Sequence, residues 1–128
     1  MTAQDLFNLS LGIIGISSNN AGTYTETALP MINTVLMQTF DLENHIRKYL
    51  ELTPITTVPV HTNLSEALTY QDRILRNVAV YGLAQLLVLS DDDVIRANFF
   101  GNLYAQGFNN ENKFITEDAI DVYGGDYD

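Results

Sequence analysis

The chain has no cysteine and no tryptophan, only three prolines in 128 residues, and six Lys plus Arg against sixteen Asp plus Glu. Without cysteine there is no disulfide, no zinc–thiolate site and no thiol nucleophile. The shortage of cations leaves a formal net charge of −10. Nonspecific binding of nucleic acid needs basic side chains to neutralise phosphates, so this charge excludes it. Adhesion to an anionic membrane surface is disfavoured for the same reason. The most apolar run, Val78 to Leu89, is broken only by Gly82 and Gln85 and spans twelve residues, whereas about 17–25 are needed to cross a bilayer. Met1 to Leu6 carries Asp5 and no Lys or Arg, so it lacks the basic opening of a secretory signal. Asn8-Leu9-Ser10 and Asn63-Leu64-Ser65 match the glycosylation acceptor pattern; without that signal both are chance matches.

What the chain does have is 46% hydrophobic residues, too many for a disordered polymer and enough for one domain with its own core. A helix-start pattern recurs four times, Ser or Thr followed three residues later by an acid. It falls at Thr2/Asp5, Thr23/Glu26, Thr69/Asp72 and Ser90/Asp93. In such a box the hydroxyl accepts from an orphan amide in the first turn while the carboxylate reaches back to the cap amide. Each pair opens an apolar stretch with helical spacing, which predicts an all-α antiparallel bundle of about four helices.

Helix one is expected over Ala3 to Ile14, ended by Gly15, with a loop over 17–22. Helix two is expected from Tyr24 to Leu50, starting or bending at Pro30, with Leu29, Ile32, Leu36, Phe40 and Glu43 along one stripe. The segment 51–62 changes character: Pro54 and Pro59 bracket Ile55-Thr56-Thr57-Val58, the composition of an extended excursion or hairpin arm. Residues 63–68 suit a short helical turn. Helix three, Tyr70 to Leu89, is apolar nearly all round in its second half and belongs at the centre of the bundle. Ser90 to Asp93 turns it sharply into an antiparallel helix four, Asp92 to Asn109. That helix carries Ile95, Phe99, Phe100, Leu103, Tyr104 and Phe108, aromatics expected in the core, while Gly101 and Gly107 either weaken it or admit a close neighbour. From Lys113 an extended acidic tail is expected, so that 1–112 form the helical domain and 113–128 the tail. Six of the sixteen acids lie from Glu111 onward. Phe114, Ile115, Ile120, Val122, Tyr123 and Tyr127 are the tail's candidate partner-docking anchors.

No catalytic, cofactor-binding or metal-binding constellation emerges. His45 and His61 are the two histidines, and neither sits in a nucleophile motif. Asp41 and His45 share a helix face at i, i+4, but two ligands do not make a metal site. Asp91-Asp92-Asp93 lacks the ligand spacing of a calcium loop and is better explained by helix capping. Gly12 and Gly15 form neither a P-loop nor a dinucleotide fingerprint. The chain is therefore expected not to be an enzyme and to need no cofactor.

Three stretches carry a resemblance: Leu6-Phe7-Asn8-Leu9-Ser10-Leu11-Gly12-Ile13-Ile14-Gly15, then Val80-Tyr81-Gly82-Leu83-Ala84-Gln85-Leu86-Leu87 before Asp91-Asp92-Asp93, and Ala97-Asn98-Phe99-Phe100-Gly101-Asn102-Leu103-Tyr104. With the order of helices over residues 2 to 110, the chain resembles the head–tail connector (adaptor, head-completion) proteins of tailed bacteriophages and prophages. The acidic tail is not part of the likeness. The resemblance implies a helical structural virion protein assembling with itself as a ring of about twelve copies beneath the portal protein. Such a ring extends the DNA channel and offers a surface to stopper or tail proteins; DNA passes through without specific binding, and no membrane is involved. It implies a location at the head–tail junction of the virion, and in the host bacterial cytoplasm during assembly. The alternative from another class is a small acidic regulator, or a DNA-mimic inhibitor of a nucleic-acid enzyme, supported by charge alone.

Overall fold

The computed structural model describes the backbone of residues 1–124 and the side chains of residues 1–115 other than residue 18. The protein is a helical bundle, as its periodicity predicts. In chain order it comprises α1 (Ala3–Ile14), a 3-10 turn (Ser18–Thr23), α2 (Thr25–Gln38), α3 (Phe40–Tyr49), α4 (Asp72–Ile74), a π turn (Leu75–Ala79), α5 (Val80–Ser90) and α6 (Val94–Gly124). Among the described residues there is no strand, only an isolated antiparallel bridge between Thr2 and Ala67.

α1 begins with all four of its orphan amides satisfied. Ala3 N–H donates to the Glu66 carbonyl at 3.0 Å and Gln4 N–H to the Leu64 carbonyl at 2.8 Å. Asp5 N–H donates to Thr2 Oγ1 at 3.1 Å, and Thr2 N–H to the Asp5 carboxylate at 2.9 Å. That reciprocal box holds the Asp5 carboxyl below its ordinary range, through the Thr2 amide first and the Thr2 hydroxyl second. Gly15 closes the helix with φ of 82°, the left-handed conformation that glycine adopts without strain. Arg96 Nη2 donates to the Ile14 carbonyl, placing a cation at the negative end of α1.

The other three expected boxes do not form. Thr23 lies inside the 3-10 turn, whose backbone runs directly into α2, so Tyr24 precedes the helix and neither Thr23 nor Glu26 caps it. At the start of α4 the cap residue is Gln71, not Thr69. The carboxylate that meets its amide belongs to Glu43 of α3 rather than to Asp72, which pairs with Arg76 at 3.8 Å. Ser90 closes α5 through its own hydroxyl, which donates to Leu87 O at 2.6 Å. Asp93 caps α6 alone, accepting from Arg96 N–H at 3.1 Å.

The single second helix expected from Tyr24 to Leu50 is two helices. The interruption is at Thr39, whose backbone leaves the helical range with φ of −100° and ψ of 5°, while its buried hydroxyl donates back to the Val35 carbonyl at 2.8 Å. Pro30 is accommodated inside α2. Residues 63–68 form a turn rather than a helix, with Asn63 Oδ1 accepting from the Ser65 amide and hydroxyl, both at 2.9 Å.

α5 is the centre. Val80, Leu83, Ala84, Leu87 and Val88 are buried, continuing Ile74, Leu75, Val78 and Ala79 of α4 and the π turn. α1, α2 and α6 pack around it. Two glycines set the depth of the α6 contact. A Cβ on Gly107 would lie 2.2 Å from the backbone carbonyl oxygen of Asn77 in the π turn, and one on Gly82 would lie 2.8 Å from the Tyr104 ring. Both therefore mark close helix packing, the reading under which a large side chain at Gly82 overpacks the bundle. α6 also departs from expectation in length, continuing as helix through Lys113 to Gly124 instead of giving way to an extended tail.

Gly107→Ala is expected to destabilise the fold by about 1–3 kcal/mol, because the obstructing atom is backbone and cannot rotate away. Gly12→Ala, where a Cβ meets nothing within 4 Å, is expected to stabilise α1 by about 0.5–1 kcal/mol. Paired denaturant titrations measure both; equal midpoints for the two variants would contradict the packing described.

Candidate interaction surface

Two features of this surface stand out against the acidity of the chain. The first is the extended segment after α3. Its bracketing prolines and β-branched residues keep it out of helix, yet it has no strand to pair with. Two asparagine side chains take that role. Asn44 of α3 accepts from Ile55 N–H and donates to Ile55 O, both at 2.9 Å. Asn33 of α2 accepts from His61 N–H at 2.9 Å and donates to His61 O at 3.0 Å. Each carboxamide thus presents one donor and one acceptor, as a neighbouring strand would. Arg47 fixes the approaches, donating to Thr53 O at 2.8 Å and Thr69 O at 2.7 Å.

Beyond the second pin, buried His61 places Nδ1 2.8 Å from Glu66 Oε2, and Glu66 Oε1 accepts from the Thr62 amide at 3.1 Å and hydroxyl at 2.9 Å. The His61 bond first, and the Thr62 bonds second, hold the Glu66 carboxyl below its ordinary value. A carboxyl depressed in this way adds stability above its unfolded pKa, and the contribution is lost as pH falls through the folded one. Between the two pins Thr56 to Val60 lie at the surface, with Val60 72% exposed. No charged residue occurs between Glu51 and Glu66, His61 aside.

The second feature is the outer face of α6. From Ala97 to Asn110 the sequence carries no charged residue over fourteen positions. Phe100 and Ala97 face inward, whereas Ile95 is 85% and Phe99 59% exposed. This corrects the expectation that Phe99 belongs to the core: with Phe100 turned inward, the helical period carries Phe99 outward, where it touches Phe100 edge-on at 5.3 Å. Alongside runs a groove of about 390 Å³ lined by Gln38, Gly101, Tyr104, Ala105, Phe108 and Asn109. Its floor is set by Tyr104, whose ring lies over Gly82 and whose hydroxyl donates to Gln38 Oε1 at 2.8 Å. Burial pushes that phenol up to about 12, so it stays a neutral donor.

Of the candidate docking anchors, Phe114 is engaged within the chain. Its ring meets Tyr49 edge-on at 5.5 Å, and the Arg73 guanidinium sits 4.3 Å from its centroid. Ile115 packs against the core. The physical reason is the length of α6, which carries both back along the bundle. The side chains of Ile120, Val122 and Tyr123, and all of Tyr127, lie outside the described residues. Asp41 and His45 stand exposed on α3, and among the described residues no group of three or more His, Asp or Glu is placed to hold a metal ion.

Sequence reasoning missed Asn33, Asn44 and the buried acid Glu43. Glu43 left a trace, since it falls on the apolar stripe of its helix. It is fully buried, and it accepts from the Gln71 amide and, at 3.2 Å, from Gln71 Nε2, with Arg47 Nε 3.8 Å away. The asparagines left none.

No protein-family model, curated protein or solved structure matches this chain.

Asn33→Ala removes both bonds to His61 and is expected to cost about 1–3 kcal/mol. Hydrogen exchange should report this first at the His61 amide, ahead of the α5 amides. Unchanged protection at His61 would show that the carboxamide does not hold the segment.

Proposed function

We propose that this chain is a structural assembly protein of a tailed-phage particle, a head–tail connector that joins copies of itself into a ring beneath the portal. The reading rests on the resemblance of residues 2 to 110, and one observation carries it furthest. A chain of net charge −10 keeps an uncharged, partly apolar face along fourteen residues of α6 and a second uncharged stretch from Leu52 to Ser65. Like-charged copies repel, and they associate where charge is absent and apolar surface can be buried. Val94, Ile95 and Phe99 are the kind of exposed apolar side chains that such an association covers. The remaining acidic surface suits a wall past which DNA moves without adhering, since like charge keeps a duplex from sticking.

Light scattering on the purified protein, alone and mixed with a candidate portal, tests this. The expected result is a closed assembly many times the 14.3 kDa chain mass, in one condition or the other. A chain that stays monomeric and joins no portal would contradict the proposal and favour an acidic regulator.

A further inference from the structure

We infer that the occupant of the α6 groove is the pinned segment of a second copy of this chain, with residues 56–60 of one subunit entering the groove between Gln38, Tyr104 and Phe108 of the next. This inference rests on the self-assembly reading above and gives it an interface. Three observations lead to it.

The first is charge. Groove and segment are both uncharged regions of a strongly acidic protein, so their meeting brings no carboxylates together, which docking through most other parts of the surface would do. The second is preorganisation. The segment is tied at Ile55 by Asn44 and at His61 by Asn33, so little further backbone ordering is needed on binding. Val58 and Val60 are exposed between the ties, and the backbone amides of Thr56, Thr57, Val58 and Val60 make no backbone hydrogen bond among the described residues, while Pro59 has no amide N–H to satisfy. They can meet the groove's Gln38 and Asn109 carboxamides. The third is placement. Asn33 and Gln38 are five positions apart on α2, so at about 100° per residue they point about 140° apart around its axis. Asn33 holds the segment and Gln38 lines the groove, so the two surfaces lie on well-separated sides of one rigid helix. Two distinct complementary patches give a head-to-tail contact, which closes into a ring when the rotation between copies allows it; a self-complementary patch would stop at a dimer.

Two variants test the contact. Val60→Asp spoils the segment and leaves the groove intact; Ala105→Asp spoils the groove and leaves the segment intact. Both positions are exposed, and circular dichroism checks that each variant keeps the wild-type helix content. Each variant alone is expected to remain at the 14.3 kDa chain mass at concentrations where the wild type assembles. Mixed, they retain one good groove and one good segment between them, and are expected to form a species of twice that mass and nothing larger. Misfolded variants could not complement in this way. If the wild type assembles and either variant alone does so equally well, the groove–segment contact is overturned while the ring reading stands. Monomeric variants whose mixture yields no dimer overturn it likewise. A wild type that neither self-associates nor joins a portal overturns both.

Discussion

Of the described glycines, Gly107 of α6 leaves the least room for a Cβ, against the Asn77 carbonyl of the π turn, and much of the molecule takes its position from that approach. Only a residue without a Cβ lets two helices come so near, and the wider π turn sits where α6 crosses. With that distance fixed, one turn further along α6 brings Glu111 to Arg73 at 2.7 Å and to Asn77 Nδ2 at 3.3 Å. In the other direction it lays Tyr104 over Gly82 and turns Phe100 inward. The outward placement of Ile95 and Phe99 follows from the same registration, because a helix that buries one face must show the other. The exposed face of α6 is thus a consequence of how the core closes.

Polar groups inside the bundle are matched across elements. Glu43 completes the start of α4 from α3, and Tyr70 donates to the Leu36 carbonyl at 2.5 Å, with burial and then the Glu43 charge raising its pKa. Tyr24 donates to Asp91, linking the approach to α2 with the turn between α5 and α6. Such bonds are individually modest and costly to leave unmade, so each ties the orientation of two elements together. The asparagine pins belong with them: they let a segment with no sheet to join lie extended and ordered on the surface.

The fold class was legible because its signals are local. The 3.6-residue period over α1 and α5, the Thr2/Asp5 box and the αL glycine at Gly15 each depend on a few neighbouring residues. What the sequence hid depends partly on distance in the chain and partly on local competition between neighbouring turns. Thr23, Thr69 and Ser90 satisfy the box pattern and fail as its hydroxyl caps, because a preceding 3-10 turn, a carboxylate from α3 and the end of α5 supply the partners instead. The break at Thr39 falls within an otherwise continuous stripe, which carries no mark of it. Acidity alone suggests an extended tail, yet α6 continues past Lys113, and Phe114 and Ile115 find partners on the bundle. The interaction surface was half visible: the uncharged stretches are plain in the sequence, whereas Asn33 and Asn44 look like any helix-surface amides until the segment they hold is in place.

The central claim is that this acidic protein meets its own copies through its uncharged surfaces. Hydrogen exchange of the full chain, compared between dilute and concentrated solution, tests it most directly. The account predicts that concentration slows exchange at Thr56, Thr57, Val58 and Val60 and leaves amides beside the exposed acids of α1 and α3 unchanged. Protection arising on those acidic faces, or nowhere in the chain at any concentration, would contradict it.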